Sequence, residues 1–397
     1  ASGMQKIAQI ASQFRYLLEN DRTGGEQVVK LLNRRTLGLG PADLADATAI
    51  VQTVQSHGGP YAEVLQLYLR MCGAAMAQDS AQELDLIISC LKACNDSLLN
   101  AGKRDPGNRL LPFLMYISAE ARHLAIKLDK GSSEHFKKLV EVNRDYFQKY
   151  SRSGKMAVYC WICCELLRAY FRLDQILACS HLLKNVEPSL MKEGATVEDL
   201  PKAIAVSLYY YWGRFSLLNK DFSAANEKLT WALKNCRPSA RQQKRAILLY
   251  LVPCKLRLGI LPRKELIEEH ELWMYRDIVK AIVTGNVKLF TESMQLHSTL
   301  FLKMRLYMLM MQLQTFAWRN LCKGVHAHFF HRDGDVQQDL TNFEHIFKWQ
   351  VEDYDADMTA CQICRLLNMG AIMGYTSFDR RKLVFARQNP FPGPSKW

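Results

Sequence analysis

The sequence predicts an all-α helical repeat, a TPR-like α-solenoid, ending in a C-terminal winged-helix subdomain with a small β-hairpin. Three observations carry this prediction. Apolar residues recur at helical spacing from Gln5 to about His328, broken by short Gly, Pro and Asn/Asp segments, with no strand alternation among them. The stretch around Gly213 has the small–large–small spacing of a stacked helical hairpin. Two short β-prone runs close the chain after Gly370, joined by a charged turn.

In chain order, helices are expected at Gln5–Asn20, Gly25–Asn33, Pro41–His57, Tyr61–Ala77, Ala81–Asn100, Leu110–Leu128, Ser133–Tyr150, Lys155–Arg172 and Asp174–Asn185. The breakers between them include Arg22–Gly25, Gly58–Pro60, Gly102–Gly107 and Lys130–Ser133, all turn chemistry. Helix pairs of this kind bury their apolar faces against their neighbours, which makes 1–190 a repeat arm. The expected division continues with a TPR-like helical part at 191–330 and a winged helix with tail at 331–397.

Gly213 takes the place of the repeat glycine, which puts Tyr209 and Trp212 at the large apolar positions. Ala225, Leu229 and Ala232 then occupy the small–large–small positions of the second helix. The cluster Tyr209-Tyr-Tyr-Trp212 reads as core packing in preference to a base-stacking platform. The densest cationic stretch follows. Arg241, Lys244 and Arg245 share one face at a helix start, and Lys255 and Arg257 lie further along. Positive charge at a helix N-terminus opposes the macrodipole, which favours a role in binding a partner or nucleic acid. Arg237 to Phe330 holds 15 Lys or Arg against 6 Asp or Glu, an excess of nine.

Towards the end, Asp355 is placed to cap a helix whose apolar positions are Met358, Cys361, Ile363, Cys364, Leu366 and Leu367, with Gly370 as its stop. Ile372–Phe378 and Leu383–Ala386 then form a hairpin across Asp379-Arg-Arg-Lys382. A helix running into such a hairpin is the ending of a winged helix. The tail Pro390–Pro394 cannot continue a ladder, so the fold is expected to end there. Arg380, Arg381, Lys382 and Arg387 are candidate phosphate contacts, which give affinity without sequence reading. The preceding helix carries Asp357 and few cations beyond Arg365, which argues against base-specific duplex reading.

The 397 residues carry a net charge of +13 with a pI near 9.1, an excess that suits a polyanionic partner. No apolar run is long enough to cross a bilayer and no basic-then-apolar leader opens the chain, so neither membrane insertion nor secretion is expected. The 12 cysteines are then expected as reduced thiols. Cys160–Cys163 and Cys361–Cys364 have CxxC spacing but lie in apolar helical runs, where Cys acts as a small hydrophobe. His326, His328 and His331 lack a carboxylate or Cys at matching spacing and read as a helix end, so no metal or other cofactor is expected. The motifs G-x-x-x-x-G-K-[ST], H-E-x-x-H and G-x-S-x-G are absent, and an enzyme is not expected.

Two stretches carry a family resemblance. One is Tyr210-Tyr-Trp-Gly213-Arg214, then Asp221-Phe-Ser-Ala-Ala225, then Lys244–Gly259. The other is Met373-Gly-Tyr-Thr-Ser377, Lys382-Leu-Val384 and Gln388-Asn-Pro-Phe-Pro392. Together they resemble the PCI-domain subunit of the TREX-2 mRNA-export complex. They are also similar to the PCI protein associated with the COP9 signalosome as its twelfth member, and more distantly to proteasome-lid subunits. The resemblance implies a PCI domain and a non-catalytic scaffold. It further implies pairing with a larger PCI protein of the GANP/Sac type and a small acidic protein of the Dss/Sem type, with a basic winged-helix surface for RNA or DNA. The implied location is the nucleus, including nuclear pores, with some protein in the cytoplasm. The alternative it implies is a signalosome-associated or lid-like protein–protein scaffold without direct nucleic-acid binding. Within the family the charged tip Asp379-Arg-Arg381 and Arg387 in place of a usual Lys are departures, and both keep positive charge.

Overall fold

The computed structural model describes residues 3–20, 24–33, 37–101, 108–129, 131–333, 336–377 and 379–393, without the side chains of 331–333. Arg22, the 102–107 breaker, Lys130, the His331 side chain, Phe378 and Pro394 lie outside the described residues. The chain divides into two compact units, 1–211 and 212–397, each described by itself.

The first unit is a run of helices packed mostly on their neighbours in the chain, with α3 also on α1 and α2 on α6: α1 (Gly3–Asn20), α2 (Gly24–Leu31), α3 (Ala47–His57), α4 (Ala62–Met76), α5 (Ser80–Asn100), α6 (Leu111–Leu128), α7 (Glu134–Tyr150), α8 (Met156–Arg172), α9 (Ile176–Lys192) and the first part of α10 (Lys202–Leu218). The periodicity predicts most of these bounds. Two differ for local reasons. The side chain of Asp46 accepts from the amides of Thr48 and Ala49, each at 3.0 Å, so α3 starts at Ala47 and not at Pro41. Helix α9 runs through Pro188 to Lys192, because Val186 and Leu190 are buried and their packing outweighs the one lost backbone bond.

One buried charge cluster in this unit is fully paired. The Glu165 carboxylate, on α8, receives Arg122 of α6 and Arg168 of its own helix, the latter at 2.9 Å. Arg168 also donates to the Tyr211 hydroxyl at 2.8 Å, and Tyr211 stacks on Phe171. Tyr211 is thus core, as expected, whereas Tyr209 and Tyr210 are half-buried. Cys160, Cys163 and Cys164 are fully buried, and burial pushes the Cys160 thiol up to about 12.

The second unit continues with α11 (Phe222–Asn235), α12 (Arg241–Arg257), α13 (Lys264–Glu269), α14 (Trp273–Thr284), α15 (Val287–Leu296), α16 (Ser298–Met304) and α17 (Tyr307–Asp333). Ala225, Leu229 and Ala232 are fully buried, as the repeat pattern requires. A Cβ on Gly213 would lie 2.6 Å from Leu229 Cγ, which explains why the repeat has glycine there. Gly285, at φ 71°, ends α14 in the left-handed region, and Asn286 caps α15 through a 2.8 Å bond from the Leu289 amide.

The long helix α17 leads into the winged helix: β1 (Gln337–Asp339), α18 (Leu340–Gln350), α19 (Ala356–Asn368), β2 (Gly374–Ser377) and β3 (Lys382–Phe385). The strands form an antiparallel sheet in the order β1-β3-β2. Asp355 caps α19 by accepting from the Met358 amide at 2.7 Å, and Gly370 at φ 71° ends the segment, both as expected. Strand β1 was not expected from its Gln-Gln-Asp sequence.

The tail corrects another expectation. The fold does not end at the hairpin. The Met373 amide donates to the Pro390 carbonyl at 2.8 Å, and Arg319 of α17 donates to the carbonyls of Phe391 and Pro392 at 2.7 and 2.9 Å. Phe391 is buried against Phe385 and His326, with ring centroids 5.5 and 5.6 Å away. Proline cannot extend a ladder, but its carbonyl still accepts, and the phenyl ring fills the inner face of the sheet.

Candidate nucleic-acid interface

The wing is built by alternation along β3. Leu383 and Phe385 face the core and are buried, so Lys382 and Val384 take the outer face. Asp339, Lys382 and Ser377 form one cross-strand row there, and Gln337, Val384 and Tyr375 form the next. Tyr375 is 62% exposed. The turn from β2 to β3 carries Asp379, Arg380 and Arg381 beyond the sheet, with Arg381 at φ 48°.

The four cations expected to meet phosphate separate into two pairs. Arg381 is tied down: its guanidinium pairs with Glu344 of α18, and its carbonyl accepts from the Leu340 amide at 2.9 Å. Lys382 is half-buried opposite Asp339. The Asp339 carboxylate is held below the usual range, first by the hydroxyl and amide of Thr341 at 2.7 and 3.1 Å, then by the charges of Arg381 and Lys382. Arg380 and Arg387 are exposed and have no ion-pair partner among the described residues. These two carry the free positive charge of the wing.

The α12 cations are not brought to the wing by any contact described. Arg241 and Arg245 each reach a carbonyl at the end of α13, that of its last residue Glu269 and that of Glu271 in the following turn, both at 3.4 Å. Cations at the last carbonyls of a helix stabilise it, so these two have a structural role that compensates their place at the start of α12. Arg257 stacks on Phe222 at 5.4 Å, and burial lowers its pKa. Lys244 and Lys255 are half-buried.

His326 has a role that spacing did not reveal. It lies within the winged-helix core, 4.1 Å from the Phe385 ring, and its Nδ1 is 2.9 Å from Gln338 Nε2. Burial lowers its pKa, and the Gln338 contact opposes this in part. His328 is exposed. Among the described residues no group of His, Cys, Asp and Glu is arranged to hold a metal ion. Cys361 is exposed on α19, so its reading as core is corrected, while Cys364 is half-buried beside Thr376. No described helix is long and apolar enough to cross a membrane.

No protein-family model matches the chain. Curated proteins do. PCI domain-containing protein 2 of Xenopus laevis is 29% identical over 352 residues, 84% of each chain. The protein of that name from Danio rerio is 32% identical over 229 residues, 57% of this chain and 55% of its own. Enhanced ethylene response protein 5 of Arabidopsis thaliana is 30% identical over 291 residues, 71% of this chain and 70% of its own. The chain belongs to the family of PCI domain-containing protein 2. The helical array ending in a winged helix is the architecture of this PCI family, and the wing described above is therefore the wing of a PCI domain.

Proposed function

We propose that this PCI protein is a non-catalytic scaffold subunit of a nuclear mRNA-export complex of the TREX-2 type. It pairs with a larger PCI protein of the GANP/Sac type and a small acidic protein of the Dss/Sem type, and its wing contributes a basic surface for RNA or DNA. The observation that carries the reading is the pair Arg380 and Arg387, exposed and unpaired among the described residues, at the end of a chain of net charge +13. Free guanidinium groups bind phosphate without reading bases. The expected location is the nucleus, including nuclear pores. The test is Arg380→Glu with Arg387→Glu. RNA affinity should fall at low salt and the slope of log K against log salt should flatten by about 1.5 to 2, with the melting temperature unchanged. Unchanged affinity would overturn direct nucleic-acid binding.

The pairing of Arg381 with Glu344, and the place of Lys382 opposite Asp339 in the strand register, favour a second reading, because they leave the wing with few free cations. In that reading the chain is a signalosome-associated or lid-like protein scaffold. Affinity purification from nuclear extract with nuclease treatment separates the two. A GANP/Sac-type partner retained with the small acidic protein supports the export complex, and a different PCI partner supports the alternative.

A further inference from the structure

Helix α19 has an outer face that the wing does not use. Met358, Cys361, Arg365 and Met369 fall at i, i+3, i+7 and i+11, so they form one stripe. All four are exposed, Met358 at 45% and Met369 at 38%, and Met373 follows at 47%. Thr359, Ile363 and Leu366 on the opposite side are buried in the winged-helix core. A helix that reads a duplex presents Arg, Lys, Asn or Gln to base edges. Methionine and cysteine are instead polarizable and adaptable, and suit a protein surface that packs against another helix.

The charges around the stripe are sorted along its length. Glu352, Asp353 and Asp357 are exposed at its N-terminal end and have no ion-pair partner among the described residues. Asp355 is occupied as the helix cap. The loop bearing Glu352 and Asp353 is held in place. Tyr354 packs against Trp318 at 5.1 Å and Phe347 at 6.1 Å, and the Val351 amide donates to the Phe347 carbonyl at 2.8 Å. In a chain of net charge +13, free carboxylates gathered at the N-terminal end of a stripe that is apolar apart from Arg365 are complementary to a cationic partner there and repel phosphate.

We propose that the outer face of α19 docks an amphipathic helix of a partner protein. The apolar stripe of that helix would lie on Met358, Cys361 and Met369, and its Lys or Arg side chains over Glu352, Asp353 and Asp357. The wing and the helix of one subdomain then serve different ligands, the wing an anion and α19 a basic-flanked helix.

Cys361 supplies the readout, because the other cysteines are buried or half-buried. The full chain is alkylated with a maleimide in the presence of a synthetic helix bearing leucines at i, i+3, i+4 and i+7 flanked by lysines, and mass spectrometry follows each thiol. Alkylation of Cys361 should slow by about tenfold at saturation, while Cys236, the half-buried internal reference, is unaffected. The same peptide with glutamates for lysines should give no protection. Asp353→Lys with Asp357→Lys should abolish protection, and so should Met358→Ala with Met369→Ala, which leaves the charges in place. Melting curves establish that both variants fold. Equal protection by the acidic peptide, or full protection in either variant, would overturn the proposal. So would slowing with protein concentration alone, which would make the occupant a second copy of the chain.

Discussion

Arg381 at the tip of the wing pairs with Glu344 on α18, and this one contact engages an exposed guanidinium that would otherwise be free to meet a phosphate. It also holds the turn, since the neighbouring Leu340 amide donates to the Arg381 carbonyl. The pair lies near the surface, so its contribution to stability is small.

Glu344→Gln should therefore free Arg381 for nucleic acid. RNA affinity should rise at low salt and the salt slope steepen by about 1, with stability changed by less than about 1 kcal/mol. Fluorescence anisotropy across a salt series checks the first and thermal melts the second. An unchanged slope would mean that Arg381 already reaches the ligand.

Gly213 of α10 lies directly against Leu229 of α11. Gly213→Ala should destabilise the second unit by about 1–3 kcal/mol through overpacking against Leu229. Leu229→Ala alone should cost about 2–5 kcal/mol, and the double variant less than the sum, because the added methyl enters the space vacated. Urea unfolding of the three variants measures the coupling.

The tail contact predicts a core effect from an apparently peripheral residue. Phe391→Ala should cost about 3 kcal/mol, since the ring is buried between Phe385 and His326. Hydrogen exchange should then show faster opening of β3 and of the end of α17.

His326 makes the same core sensitive to acid. Its folded pKa lies below its unfolded value near 6.5, so the unfolded chain takes up the proton first. The stability that neutral His326 supports is complete above the unfolded pKa and falls as pH drops towards the folded one. Melting curves from pH 7.5 to 5.5 should show this loss, and His326→Gln should flatten it.

At the other end of the chain, the Asp129 carboxylate organises the start of α7. Burial alone would raise its pKa. The Nδ1 of His135 at 2.8 Å, the amides of Phe136 and His135 at 2.9 and 3.0 Å, and the Ser132 hydroxyl together outweigh burial and hold it below the usual range. A depressed carboxylate stabilises above its unfolded pKa near 3.9, and this is lost as pH falls through the folded value. Asp129→Ala should cost about 1–2 kcal/mol at pH 7, measured by urea unfolding.

Features written in local spacing were legible in the sequence. Asp355 and Gly370 delimit α19, and Gly213 with Ala225, Leu229 and Ala232 marks the repeat. What escaped depends on residues far apart. β1 is three residues of poor strand formers that β3 recruits across more than forty positions. Arg241 and Arg245 look like free cations until the end of α13 and the turn after it, some 26 to 28 residues on, bring carbonyls to them. Within the wing, spacing puts Arg380, Arg381, Lys382 and Arg387 together, and only tertiary packing divides them, through Glu344 and Asp339.

The docking of Phe391 also bears on how the protein is made. During vectorial synthesis α17, β1, α18 and α19 leave the ribosome before the segment that closes over Phe385 and His326, so the inner face of the sheet stays open until Pro392 has emerged. A nascent chain halted before Pro390 would present Phe385 unprotected and be recognised by chaperones or degraded. The last strand of the wing is thus sheltered by residues made after it.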